Sequence, residues 1–354
     1  MDFEIDKYRE ILNFDEKKLI ETYYSLEDAR KNGRGVFSKI NYACDNILPK
    51  GMVRGSREHG NYAIITTIMD VATNSEKLHE ECREAYELNS KIFDPKFIYE
   101  LDKDKLRIGR KGRKSEQTTK RLIDRDTGKT LKEIDMRHRV FIAPETMGIL
   151  KENFPNIFHD TLSGSIFSTC RKIYKVYDND IRKLFDGVTD PDVAYRRLDM
   201  DRSQPPMYRR RNDTSKMIFG GIGRKTASLF VIKAVNAGIA NGMDRTDMLQ
   251  PFDRHLYNLC VSRGIIKLEE WGMRKERLTK MAQKLFRNTF HENSLDVPRF
   301  HENQWILGSN VCAYPGCYDR NTDGQKSCIF EDACDIIMDD AMYSAKGIVK
   351  PMKR

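Results

Sequence analysis

Lys225 stands directly behind Gly220-Gly221-Ile222-Gly223-Arg224, and Asp253 follows downstream in Pro251-Phe252-Asp253-Arg254-His255. Glycines let a backbone approach a phosphate closely, and a helix starting behind them offers unpaired N–H groups to hold it. A primary amine and a carboxylate beside a gripped DNA backbone have the chemistry to attack a sugar C1′ and support the cationic centre formed there. Each residue also has a plainer reading. A single lysine most often meets phosphate or solvent, and an aspartate at a helix start is a good N-cap. A carboxylate can also cap a helix and still face a reacting group, which makes Asp253 the stronger candidate of the two. Lys225 in the first turn of its helix is expected to be an amine nucleophile, activated by neighbouring cations and by the helix N-terminus.

A second constellation lies near the C-terminal end. Cys312, Cys317, Cys328 and Cys334 crowd into 23 positions, with four, ten and five residues between them. Cys44, Cys82, Cys170 and Cys260 are scattered, as buried free thiols usually are. In a reducing compartment the crowded four read as metal ligands before disulfides, with zinc and an iron–sulfur cluster both open on spacing alone.

Charge points to a polyanion. Among the 354 residues, Lys and Arg number 62 against 53 Asp and Glu, a net charge of +9. Between Lys103 and Arg139 there are 14 Lys and Arg against 6 Asp and Glu. A second basic run, Arg196-Arg197 through Arg209, Arg210 and Arg211, precedes the glycine turn. For the first patch alone, a solvated surface is an equal alternative. A charged fraction of 32% and a mean hydropathy of −0.64 describe a soluble chain. No apolar run approaches membrane-span length, and Met1-Asp2-Phe3-Glu4-Ile5-Asp6-Lys7 lacks the order of a signal peptide. The expectation is an intracellular, cytoplasmic protein with no membrane partner.

The elements that must position these residues are mainly helical. Helical spacing runs over Glu10 to Tyr24, Tyr62 to Leu88, Ile166 to Val176, Thr226 to Ala237, Leu256 to Val261 and Leu278 to Phe290. The stripe Leu229, Phe230, Ile232 and Val235 is read as core. Partial alternation around Asp126-Thr127-Gly128, within Arg121 to Ile134, predicts a basic β-hairpin, either a finger along nucleic acid or simply solvated. Asp201 to Asp213, with Pro205-Pro206, and Gly238 to Gln250 read as loops. The fold class is therefore all-α with a small β insertion. The turn itself, after Met217-Ile218-Phe219, fits a helix-hairpin-helix whose amides bind a DNA phosphate without reading sequence.

Gly221-Ile222-Gly223-Arg224-Lys225-Thr226-Ala227 together with Phe252-Asp253-Arg254-His255 resembles the helix-hairpin-helix DNA glycosylase superfamily, most closely its endonuclease III branch. The family has its Schiff-base lysine in a Gly-Arg-Lys-Thr-Ala run and its catalytic aspartate in a Val-Asp-Thr-His run. By position these are Lys225 and Asp253. The resemblance implies a two-lobed, all-α fold with the β-hairpin inserted and a C-terminal [4Fe–4S] loop on Cys312, Cys317, Cys328 and Cys334, with zinc the lesser alternative. Gly308 precedes the first of these cysteines, as a glycine does in that branch, and Cys328-Ile329-Phe330-Glu331-Asp332-Ala333-Cys334 looks like its closing cysteine pair. Expected DNA contacts are Gly221, Gly223, Arg224 and Thr226 in the turn, with Arg209, Arg210 and Arg211. The implied parts are an N-terminal helical part (1–94), the basic insertion (95–165), the hairpin core (166–300) and the cluster loop with its tail (301–354).

The match covers nearly all of 217–335 and one stretch of the N-terminal half, Ile64 to Thr73. Four departures stand out. Phe219-Gly220 replaces the family's Leu-Pro. The path from Lys225 to Asp253 is longer, the excess falling in Gly238–Gln250. Cys317 and Cys328 are separated by an added loop, Tyr318 to Ser327. Val71 occupies the place of a glutamine that fills the gap left by a flipped base. The resemblance implies a DNA glycosylase with AP lyase activity, acting as a monomer on double-stranded DNA. The departures leave two alternatives. One is a phage-type transferase that builds an amino acid or amine onto an activated hydroxymethyl-pyrimidine in DNA. The other is a non-catalytic DNA-binding protein.

Overall fold

A computed structural model of the chain describes residues 3–40, 42–43, 46–70, 75–110, 119–123, 130–135, 139–155, 157, 159–198, 200, 217, 219–267, 275–310 and 329–330. Helices dominate them, as the hydrophobic spacing predicts. In chain order these are α1 (Phe3–Leu12), α2 (Glu16–Lys31), α3 (Arg57–Met69), α4 (Ser75–Leu88), α5 (Pro95–Asp102) and α6 (Pro144–Asn153). Then follow α7 (His159–Val176), α8 (Pro191–Arg197), α9 (Arg224–Asn236), α10 (Arg254–Ser262), α11 (Lys275–Glu292) and α12 (Val297–Asn310). Four short strands, β1 (Arg107–Arg110), β2 (Thr119–Ile123), β3 (Thr130–Asp135) and β4 (Arg139–Ile142), sit between α5 and α6.

The strands form two antiparallel ribbons. β2 pairs with β3, Thr119 opposite Asp135 and Leu122 opposite Lys132, as the alternation predicts. The ribbon of β1 with β4 was not expected; it places Arg107 opposite Ile142 and closes the excursion at its base. The stretch 95–165 also shares the core, through Ile98, Leu150 and Phe154. Its α6 begins at Ala143, which has no capping side chain. Buried Asp102 does that work from α5, accepting the Glu145 and Thr146 amides at 3.0 and 2.7 Å and the Thr146 hydroxyl at 2.6 Å.

Two expected helices are each divided. Glu10 to Tyr24 breaks at Asn13, whose φ is +40°, and Asp15 restarts the chain by accepting the Lys18 amide at 3.0 Å. The gap is used: the Asp15 amide donates to the Ile265 carbonyl at 2.9 Å and the Lys267 amide to the Leu12 carbonyl at 3.0 Å. Tyr62 to Leu88 ends its first helix at Met69. Every residue of α3 from His59 to Met69 is buried, so it has no polar face. Its polar groups are satisfied internally: Asn61 donates to the Asn179 carbonyl and accepts the Ile181 amide. The scattered cysteines Cys82, Cys170 and Cys260 are free and buried, and burial holds all three thiols protonated. Cys44 lies outside the described residues. Among the described residues no helix is long and apolar enough to cross a membrane.

Candidate active site at two helix N-termini

The glycine turn is built on α7. Phe219 and Ile222 point inward, with Phe219 stacked on Tyr177 at 6.1 Å and Lys172 Nζ 4.4 Å from the Phe219 ring centre. Between them, the Gly220 amide donates to Thr169 Oγ1 and the Thr169 hydroxyl donates to the Gly220 carbonyl, both at 3.1 Å. A Cβ on Gly220 would stand 2.5 Å from the Ser165 carbonyl oxygen, so only glycine lets the turn lie this close. Gly221 takes a φ of +72°, the left-handed conformation that glycine adopts without strain.

The outward side reads Gly221, Gly223, Lys225, all exposed. Gly223 is the N-cap of α9, has no side chain to bond the first amides, and nothing lies within 4 Å of where its Cβ would be. No acidic residue occupies the first turn of α9. The helix therefore starts without a capping side chain at its N-cap, with its positive dipole end and a lysine on one open edge. Arg224 and Thr226, in the same turn, are partly buried. The helix expected ahead of the turn, and Arg209, Arg210 and Arg211, lie outside the described residues.

Asp253 sits at the start of α10. Phe252 is buried in an aromatic cluster, edge-on to Tyr257 and Phe286, which fixes the approach. The Asp253 carboxylate then caps α10 by accepting the Leu256 amide at 3.0 Å, as the capping reading anticipated. Burial pushes its pKa up. The Lys225 ammonium, the His255 ring, the Leu256 amide and His301 outweigh this, and the carboxyl ends below its ordinary value. Lys225 is the strongest favourable charge acting on Asp253, so the fold sets two residues 28 apart in sequence within electrostatic reach, without an ion pair between them.

Helix α12 braces this segment. His255 Nδ1 lies 2.9 Å from the Gly308 carbonyl and donates to it, leaving Nε2 as the second ring nitrogen. A Cβ at position 308 would meet His255 Cβ at 2.7 Å, which gives Gly308 a packing role beyond its place before Cys312. On its far side α12 is tied to α2 by Arg30, which reaches Glu302 and Asn303 at 2.8 Å each. Sequence reading missed His301, Gln250, Gln283 and Gln304, which gather behind Asp253. For Gln283, His301 and Gln304 the sequence signal is a polar residue among apolar ones along a helix; Gln250, in the stretch before α10, carries none.

Cys312, Cys317, Cys328 and Cys334 lie outside the described residues, as does Val71. Among the described residues no group of three or more His, Cys, Asp or Glu could hold a metal ion. Phe330, two residues after Cys328, is buried, with the Arg263 guanidinium 4.4 Å from its ring centre at the end of α10. Phe330, which lies between the last two cysteines in sequence, is thus anchored at the end of the helix that Asp253 starts. No protein-family model and no curated protein matches the chain.

Proposed function

We propose that this protein is a DNA base-excision enzyme, a glycosylase with AP lyase activity on a nucleotide flipped from duplex DNA. The observation that carries the reading is the Lys225 charge acting on Asp253 beside the N-terminus of α9, which has no capping side chain at Gly223. The helix start and glycine edge suit a backbone phosphate and hold the strand without reading its bases. The Lys225 amine, in its neutral form, attacks C1′ as the C1′–N bond breaks and the base leaves with a proton. The ionised Asp253 supports the cationic sugar centre in that step. The C1′–O4′ bond then opens, O4′ taking a proton, to give an iminium ion; this loses a C2′ proton as the C3′–O bond to the 3′ phosphate breaks.

Cys312, Cys317, Cys328 and Cys334 supply four soft thiolate donors, a set suited to a [4Fe–4S] cluster and, less well in this context, to zinc. Either would brace the C-terminal segment. Anaerobically purified protein with a broad visible charge-transfer band supports the cluster; a colourless, zinc-loaded protein sinks it.

Borohydride trapping tests the chemistry. Damaged and abasic duplexes are expected to give a covalent protein–DNA adduct that Lys225→Gln abolishes. No adduct on any such duplex would overturn the proposal, and a heavier nucleoside by mass spectrometry would replace excision with base modification.

A further inference from the structure

Behind Asp253 the interior is polar where the surrounding helices are apolar. Gln250, Gln283, His301 and Gln304 are all buried. Gln283, on α11, donates from Nε2 to the Gln250 main-chain carbonyl at 2.9 Å. Gln250 Nε2 lies 3.2 Å from His301 Nδ1, and Gln304 Nε2 lies 3.3 Å from the same nitrogen. Both amides converge on one ring nitrogen, which ties the His301 ring to Gln250 and to Gln304. The Oε1 atoms of Gln250, Gln283 and Gln304 meet no protein donor. Such a cluster is a poor way to stabilise a core, because apolar side chains of the same volume would avoid the desolvation of four polar groups.

What the cluster does hold is a direction. Gln250 is three residues before Asp253, and the two residues between have little slack. Pro251 has a fixed φ, and Phe252 is pinned among Tyr257 and Phe286. A shift at Gln250 is therefore passed to Asp253. Gln250 is held from α11 through its carbonyl and from α12 through its side chain. His255, on the other side of Asp253, is held from the same α12 at Gly308.

We infer that His301 is a positioning residue for Asp253, acting through Gln250 and supported by Gln283 and Gln304, and that this network sets where the carboxylate stands relative to Lys225. The inference deepens the excision reading and rests on it for its kinetic consequence. Its geometric consequence stands independently.

Two variants remove the contacts while keeping volume, His301→Phe and Gln250→Leu; His301→Gln restores a hydrogen-bonding group. The first readout is hydrogen exchange of the Leu256 amide, which Asp253 protects. It is expected to quicken about five- to tenfold in both variants, with the amides of α9 unchanged. The second is single-turnover trapping, expected about 100-fold slower with duplex Kd held within about twofold, and largely recovered in His301→Gln. Unchanged Leu256 exchange in either folded variant overturns the inference. So does uniformly faster exchange across α9 to α12 with no recovery in His301→Gln, since the network would then be structural alone. If the unaltered protein traps no DNA, the excision reading fails and the exchange measurement alone decides the inference. Should His301→Phe not fold, Gln250→Leu carries both readouts.

Discussion

The N-termini of α9 and α10 are built in opposite ways. At α9 the cap is Gly223, exposed, without a side-chain bond and with open space beyond it. At α10 the cap is Asp253, bonded to the Leu256 amide, approached through buried Phe252 and braced by α12. An end left uncapped keeps its N–H groups available for an anion from outside. An end closed by its own carboxylate holds that charge still, at the cost of offering nothing to a phosphate. One terminus is fitted to receive and the other to hold. The contrast explains why a lysine and an aspartate on neighbouring helix starts need not have the same job.

The largest effect should come from separating the two duties of Asp253. Asparagine caps helices about as well as aspartate but carries no charge. Asp253→Asn is therefore expected to keep Tm within about 3 °C at neutral pH. Trapping should slow by about 10²–10³-fold, the usual loss when one electrostatic support is removed. The pH dependence follows from the depressed carboxyl. Because the folded value lies below the ordinary carboxylate value of about 3.9, Asp253 adds stability above that pH. The increment is lost as pH falls through the depressed value. Asp253→Asn should lack that acid loss in a urea series. Trapping at the parental rate would leave the carboxylate as a cap only.

A third terminus shows what closure alone produces. At α3, Ser56 accepts the His59 amide at 3.1 Å, while His59 Nδ1 accepts the Gly55 amide at 3.0 Å. Burial first, and the nearby Arg54 charge second, lower the His59 pKa from 6.5 to about 4. Between those values the unfolded chain binds a proton that the folded chain refuses. Stability is then complete above about pH 6.5 and falls as pH drops toward 4, by about 3 kcal/mol in all. Denaturant titrations of the parent and of His59→Gln should show that slope in the parent only. Parallel slopes would mean that other groups drive the acid loss.

Much of the helical scaffold was legible because helices such as α11 carry an apolar stripe of 3.6-residue period. The division at Asn13 was not. A positive φ at an asparagine followed by an Asp15 cap breaks a pattern whose apolar spacing continues through the gap. α3 hid its end differently, since a helix buried on all sides has no stripe to stop. At the site, Lys225 and Asp253 were legible from residue type and neighbours. The brace was not, because Gln250, Gln283, His301 and Gln304 come from three separate segments and meet only through packing. Gly308 was noticed for its place before Cys312, whereas its contact with His255 belongs to tertiary structure.

The finest test sets two glycines of one turn against each other. Gly220 is locked to α7, and a Cβ there would press on the Ser165 main chain at 2.5 and 2.7 Å, atoms that cannot rotate away. Gly220→Ala should destabilise by about 1–3 kcal/mol, as overpacking does, and should strain the bonds with Thr169. Gly223 has open space and a φ of −106°, which any residue adopts. Gly223→Ser should instead gain a few tenths of a kcal/mol, because its hydroxyl caps an amide in the first turn of α9. That gain should come with duplex binding about three- to tenfold weaker, read by anisotropy at fixed salt, since the capped amide no longer reaches a phosphate. Opposite signs of stability and affinity in one substitution would identify an open terminus. If Gly223→Ser binds as tightly as the parent, the grip lies elsewhere, and α9 differs from α10 only in which residue begins it.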